Sequence, residues 1–313
     1  MDRRRIGALE VSVVGLGCNN FGVRLDAERT AAVVHAALDV GINFFDTADI
    51  YGETRSEEFL GRALAGRRDS VVIATKFGLP IDEARQGAKP AYVRRAVEDS
   101  LRRLGTDRID LYQLHRPDPS VPIAETLEAL NELVRSGKVR EIGASNFSIE
   151  QIQEAERVVP KGHARFVSIQ NEYSLLHREP ERGVLAECQR HGLGFLPYFP
   201  LASGTLSGKY RAGSPAPAGT RLGSPDSRLA SRFLTPRNLE IAEALTKFAL
   251  ERDRTLLAVA LSWLLARRPV ASVIAGATSP EQVRANVEAA TWQLTADELA
   301  TIDRIAAPPP DAR

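Results

Sequence analysis

The sequence predicts an α/β fold: a closed (β/α)₈ barrel with an N-terminal β-hairpin and additional C-terminal helices. Three observations predict it. Eight short apolar or β-branched runs recur along the 313 residues, amphipathic stretches separate nearly all of them, and no shift in composition marks a domain boundary. Such alternation argues for a parallel sheet, and eight units in about 300 residues favour a TIM-type barrel over an open, doubly wound sheet. Residues 1–313 are accordingly read as one domain.

The opening RRRIGALEVSVV reads as a hairpin with Gly7 at its turn, and alternating Val11 and Val13 lead into GLG. With VSVVGLG counted as the first, the strand runs continue as NFFD (43–46), VVIATK (71–76), IDLYQLH (109–115), REIGAS (140–145), FVSIQ (166–170), GFLPY (194–198) and ASVIAG (271–276). Between the first two, AERTAAVVHAALDVG places apolar residues at i, i+3 and i+4 and stops at Gly41, a good C-terminal cap. SEEFLGRALAG, AYVRRAVEDSLRRLG and AETLEALNELVRSGK repeat the pattern. The apolar run from Leu256 to Ala266 falls well short of the ~20 residues a membrane span needs and reads as a buried helix. TADELATIDRIA supplies a last helix ahead of a Pro-rich tail. The longest interruption, residues 207–229, is rich in Gly, Ser, Pro and Arg, and a loop of that length in a compact domain usually serves function or moves.

Lys+Arg 41 against Asp+Glu 40 leaves a net charge of +1, so no overall field favours nucleic acid or an anionic membrane, and the expected partner is a small molecule. Patterning does not encode an oligomeric state. Cys18 and Cys188 have no close-spaced companions, which points away from a disulfide framework or a zinc site and toward a reducing, cytoplasmic setting. Basic residues precede apolar ones at the N-terminus, but Glu10 and three glycines interrupt them, so no export signal is expected. GLGCNNFG, 15–22, begins like a dinucleotide fingerprint and fails as one: Asn20 stands where the third glycine belongs, and the next helix starts only near Asp26.

Barrel enzymes place their chemistry where strands end and βα loops begin. The second predicted strand ends at Asp46 with Tyr51 beyond it, the third at Lys76 and the fourth at His115. Reducing a carbonyl needs a proton delivered to oxygen while the developing alkoxide is stabilised. Tyr51 can serve if the Lys76 ammonium favours its phenolate, with Asp46 holding the lysine and His115 orienting the carbonyl or sharing the proton. Taken singly, each has a plainer use as turn residue, solvated strand end, loop histidine or packing aromatic. Found at three successive strand ends, they make a coherent set.

The motifs GINFFDTADIYGETRSEEFLG, VVIATKFG, RIDLYQLHRPDP, GKVREIGASNFS, SIQNEYSLL, PYFPLASGTLSGKY and SVIAGATSPEQVRAN, with GLGCNNFG, cover nearly the whole chain and resemble the aldo-keto reductases, NADPH-dependent (β/α)₈ barrels. The resemblance implies that Tyr51 is the general acid/base, assisted by Lys76, Asp46 and His115. It also implies that Ser145, Asn146 and Gln170 bind the nicotinamide carboxamide and that Tyr198 stacks on the ring. Gly17, Leu201 and Ser203 would add cofactor contacts, and Gly276, Thr278, Gln282 and Asn286 would meet the adenosine end. A helix opening near Ser279 suits a phosphate there, while Ser148 is free to cap the helix after SNFS.

Some members carry lysine and arginine where this chain has Gly276 and Gln282, so Lys209, Arg221 or Arg284 would supply the charge for NADPH, with NADH as the alternative cofactor. Other departures are Ala275 for proline and Phe199 for serine. Cys18, near the expected nicotinamide, reads as a small buried residue, and Arg116 to Pro119 as ordinary loop. Phe21, Tyr51, Phe77 and His115 are expected to line an apolar substrate pocket.

The implied activity is NAD(P)H-dependent reduction of an aldehyde or ketone by direct hydride transfer. The alternative is an NADPH-binding regulatory or redox-sensing subunit resembling potassium-channel β-subunits, which SGKY and the later arginine also match; no extended segment precedes the hairpin, which weighs against channel gating. A Schiff-base aldolase using Lys76 fits the neighbouring Asp46 and Tyr51 poorly.

Overall fold

The structure, a computed structural model, describes residues 1–211, 213–223 and 228–308. Part of the expected long loop, 212 and 224–227, and the end of the Pro-rich tail, 309–313, lie outside the described residues. Strands β1 (Arg3–Ile6) and β2 (Leu9–Ser12) pair antiparallel with Ile6 opposite Leu9, and Gly7 takes the left-handed turn position at φ 55°. Eight parallel strands follow: β3 (Val14–Gly17), β4 (Phe44–Asp46), β5 (Val72–Phe77), β6 (Ile109–Leu114), β7 (Val139–Ser145), β8 (Phe166–Gln170), β9 (Gly194–Phe195) and β10 (Val273–Gly276). Their spatial order is β10-β3-β4-β5-β6-β7-β8-β9. Ala271 N–H donates to Phe195 O at 2.9 Å and Ile274 N–H to Pro197 O at 3.3 Å, which brings β10 back to β9 and closes the (β/α)₈ barrel.

The helices are α1 (Ala27–Asp39), α2 (Arg55–Ala63), α3 (Pro90–Leu104), α4 (Ile123–Arg135), α5 (Ile149–Val158), α6 (Val184–His191), α7 (Ala230–Phe233), α8 (Pro236–Leu250), α9 (Leu256–Leu265), α10 (Pro280–Ala289) and α11 (Ala296–Ile305). Neighbours pack in order from α1 to α6, α9 packs on α10, and α10 on α1; α8 rests on α9 and α11 on α8. Helix starts follow side-chain caps. Asp26 accepts from Arg29 N–H at 2.9 Å, and Ser148 with Gln151 forms the capping box of α5.

All eight predicted barrel strands are present. The seventh shrinks to Gly194–Phe195 because Pro197 has no N–H to offer β10 and can only accept there, while Leu196 and Tyr198 still donate toward the β8 side. Helices α6 and α8 lie outside the helical stretches singled out above, although Thr235 and Pro236 cap and open α8 in standard fashion.

Strand parity builds two layers inside the barrel. Phe44, Val72, Ala74, Leu111, Leu196 and Ile274 form an apolar lower layer, onto which the hairpin packs Ile6, Leu9 and Val11. The outward-facing residues of the same strands join the larger core between strands and helices. One pleat higher, the inward positions turn polar: Asp46, Lys76, Gln113 and Gln170.

Candidate active site

Register decides who meets whom. Lys76 lies opposite Gln113 across β5 and β6, and Ser145 opposite Gln170 across β7 and β8. Lys76 Nζ donates to Asp46 Oδ2 at 2.7 Å and to Thr47 O at 2.8 Å; Gln170 Nε2 and Gln113 Nε2 donate to Asp46 Oδ1 at 2.9 and 3.3 Å. Lys76 is wholly buried, so the ion pair stands in a low-dielectric bed where neither charge can be released cheaply. Burial lowers the Lys76 pKa, but Asp46 and Tyr51 outweigh it and leave the ammonium more firmly protonated than an ordinary lysine.

Tyr51 reaches the same place from the β4–α2 loop. Thr47 N–H and Asp49 N–H donate to Ala74 O and Lys76 O at 2.9 and 3.0 Å, extending the β5 ladder beyond the strand, and Ser56 Oγ donates to Cys18 O at 3.0 Å. Gly52 then turns the chain at φ 60°; a Cβ there would stand 2.4 Å from Phe21 O, so only glycine lets the two loops touch. Lys76 Nζ sits 5.1 Å from the Tyr51 ring centroid, and His115 meets the ring edge-on at 5.8 Å.

Burial pushes the Tyr51 phenol above its ordinary pKa, and the opposing pull of Lys76 does not overcome it. Lys76 pulls the phenol toward phenolate as expected, but burial outweighs that pull and keeps the proton on the oxygen, as a proton donor requires. Burial, with the charges of Lys76 and Arg116, depresses His115 to about 2, so its imidazole is neutral, and its buried Nδ1 has no partner. Burial likewise holds the Cys18 thiol far above its usual range, which makes it a packing residue.

These groups floor a cavity of about 690 Å³. Asp46, Tyr51 and His115 line it, with Lys76 just behind; so do Gly17, Ser145, Asn146, Gln170, Tyr198, Leu201, Ser203, Lys209, Arg221, Gly276, Thr278, Gln282 and Asn286. Asn146, left-handed at φ 62°, donates to His115 O at 2.9 Å and accepts from Tyr198 OH at 2.8 Å, tying the tyrosine platform to the fourth strand end. Phe199, Ala202 and Ser203 also hold positive φ, an unusual run for non-glycine residues along one wall, and Ser203 Oγ is buried without a partner. Farther along, Thr278 N–H donates to Gln282 Oε1 at 2.8 Å beside the start of α10, and Arg221 donates to Asn20 Oδ1 at 3.1 Å.

Two expected lining residues are elsewhere. Phe21 is fully buried under the first loop, and Phe77 follows the inward Lys76, so its side chain faces the helices and stacks on Tyr112 at 4.7 Å. Leu79 and Phe199 line the cavity instead. Arg284 does not reach the cavity lining and lies 3.8 Å from Glu281. Gln113 and Arg24 escaped the sequence reading, and Arg116, read there as ordinary loop, lines the cavity. Gln113 shares inward parity with Lys76 and was recoverable from register; no local pattern marks the two arginines.

Beneath the Tyr51 loop, Asp49 is 1% exposed and its Oδ1 has no partner. Burial and then the Glu57 charge raise its carboxyl to about 7 from 3.8. The native chain therefore holds a proton there that the unfolded chain releases near 3.8, and this group's contribution to stability falls as pH rises toward 7 and stays low above it. Asp49→Asn is expected to exceed the parent's stability by roughly 2 to 4 kcal/mol at about pH 8 and to show a weaker pH dependence. Urea midpoints at about pH 5 and pH 8 measure this, and identical slopes for both proteins would count against it.

Comparison with known proteins places this geometry. A sequence model described as the aldo/keto reductase family matches residues 13–307. The aldo-keto reductase YhdN of Bacillus subtilis (strain 168) is 37% identical over 309 residues, covering 95% of this chain and 90% of its own length. An L-glyceraldehyde 3-phosphate reductase of Escherichia coli O157:H7 is 34% identical over 95% of this chain and 89% of its own. Among solved structures, a glycerol dehydrogenase from Gluconobacter oxydans superposes with a TM-score of 0.84 at 34% identity, covering 98% of this chain and 95% of that one. An aldo-keto reductase from Bacillus halodurans in its holo form gives 0.79 at 36% identity, covering 97% and 96%. With its four strand-end groups gathered at one cavity and its sequence matched almost end to end, the chain belongs to the aldo/keto reductase family.

Proposed function

We propose that the chain reduces an aldehyde or ketone to its alcohol with NADPH, using Tyr51 as general acid. The observation that carries this reading is the Tyr51 phenol lining the cavity with the Lys76 ammonium 5.1 Å from its ring centroid and Asp46 holding that ammonium in place. The cavity fits an elongated anionic cofactor. Arg24, Lys209 and Arg221 bring positive charge to its wall, Tyr198 offers an aromatic platform, and Ser203 Oγ is an unpaired buried hydroxyl there. When bound, the nicotinamide supplies the hydride that reaches the carbonyl carbon.

Tyr51 gives its proton to the carbonyl oxygen as negative charge develops there, and the fixed Lys76 charge stabilises the phenolate left behind. Neutral His115 donates an N–H to the same oxygen and orients the carbonyl. Ser145, Asn146 and Gln170 set which face of the nicotinamide is presented. Lys209 and Arg221 hold phosphate, while Gly17, Leu201, Ser203, Gly276, Thr278, Gln282 and Asn286 shape the remaining walls. Short hydroxylated aldehydes head the substrate panel, since relatives are named for L-glyceraldehyde 3-phosphate and glycerol.

Aldehyde-dependent NADPH oxidation by the purified chain tests the reading. Tight NADPH binding with no turnover of any aldehyde would replace it with a cofactor-sensing subunit. For cofactor choice, Lys209→Ala with Arg221→Ala is expected to weaken NADPH about tenfold or more, with a smaller loss for NADH, in a fluorescence titration. Equal losses would assign both cations to the pyrophosphate that the two cofactors share.

A further inference from the structure

Four cations line the cavity, Arg24, Arg116, Lys209 and Arg221, against one carboxylate, Asp46, which is already matched to Lys76. Three of the four form a group. After burial, the charges of Arg24 and Arg221 are what depress Lys209, and Arg24 acts on Arg221 in the same way. Arg24 also donates to Gly219 O at 3.1 Å, linking the first βα loop to the long loop. This group suits the several negative charges of a dinucleotide.

Arg116 stands apart. It directly follows His115, and its charge contributes to keeping that imidazole neutral, so it belongs to the reacting end of the cavity. Its side chain is exposed, and among the described residues it has no ion-pair or hydrogen-bond partner. Asp118, two residues on, is committed elsewhere. Its Oδ1 accepts from Ser120 N–H at 2.9 Å and Ser120 Oγ at 2.6 Å, and its Oδ2 accepts from Ala88 N–H at 2.8 Å. Leu79 and Phe199 supply apolar walls and no counter-charge. An exposed guanidinium left unpaired beside a neutral imidazole, in a cavity whose one carboxylate is already matched, is a receptor for an anion on the molecule whose carbonyl meets Tyr51.

Resting on the reductase reading above, we propose that Arg116 selects carbonyl substrates that carry an anionic group, phosphate or carboxylate, a few bonds from the reacting carbon. The guanidinium pairs with that group while Tyr51 and His115 hold the carbonyl oxygen. Attraction across a solvent-facing rim is modest and screened by salt, so the preference should show in KM more than in kcat and fade as ionic strength rises.

Matched pairs test it: glyceraldehyde 3-phosphate against glyceraldehyde, and succinic semialdehyde against butyraldehyde, each with NADPH, for the parent, Arg116→Gln and Arg116→Lys. The parent is expected to favour the charged member of at least one pair by about tenfold in kcat/KM at low salt. Arg116→Gln should remove most of that preference with a far smaller change for the neutral member, and Arg116→Lys should restore part of it. Preference in the first pair alone identifies phosphate as the recognised group, and in the second alone carboxylate. Turnover without charge discrimination, or equal losses for both members of each pair in Arg116→Gln, would overturn the inference while leaving the reductase reading intact. No turnover of any of the four would remove both.

Discussion

Tyr51→Phe is expected to reduce kcat for aldehyde reduction by about three orders of magnitude while leaving NADPH affinity within about twofold, the range over which a positioned general acid acts. The ring is retained, and with it the edge contact to His115 and the Lys76 ammonium above its face, so the loss isolates the hydroxyl. Lys76 keeps its bonds to Asp46 and Thr47, which leaves the fold indifferent to the change. Single-turnover oxidation of NADPH separates chemistry from product release, and a variant keeping more than about a tenth of the parent rate would require another proton donor. Neutral His115 and a phenol held above its ordinary range add a pH signature. The parent's reduction rate should show no inflection where a free histidine titrates, and should decline only in alkaline solution, beyond about pH 10.

Lys76→Met is the second large effect, and it falls on stability as well as rate. The change strips the buried Asp46 of its counter-charge, leaving two glutamine amides as the carboxylate's remaining side-chain donors among the described residues. Breaking a buried pair in this way costs about 3 to 5 kcal/mol, and with the ammonium gone the phenolate formed during turnover has no stabilising charge. Denaturant midpoints should record the loss. Adding Asp46→Asn should recover much of the stability and none of the activity, because it removes the stranded charge without replacing the cation. A single variant within about 1 kcal/mol of the parent would show that Asp46 is solvated or protonated in the native protein.

The barrel was legible because its strands are short apolar runs punctuated by glycine-ended helices, and Asp46, Lys76 and His115 stand where those runs stop. Tyr51 was legible only in company, as the one residue in FFDTADIYG that turn chemistry does not explain. What remained hidden depended on distance in space. The depressed pKa of His115 needs the charges of Lys76 and Arg116 nearby, and Gln113 becomes meaningful only once β5 and β6 are set side by side. Phe77 was misplaced for a local reason, since one step along a strand reverses the side chain's direction. Arg24 and Arg116 sit in loops whose paths no short-range rule describes.

Asp46 is held by Lys76, Gln113 and Gln170, which lie 30, 67 and 124 residues away along the chain. Contacts of such separation carry more loop-closure entropy than the local contacts of a helix or an adjacent strand pair, so they are expected to form after them. A partly folded chain can contain every helix and still lack a neutralised carboxylate or a fixed ammonium. Recovered turnover during refolding therefore reports completion of the ring itself, and the last strand to dock sets the moment at which chemistry begins.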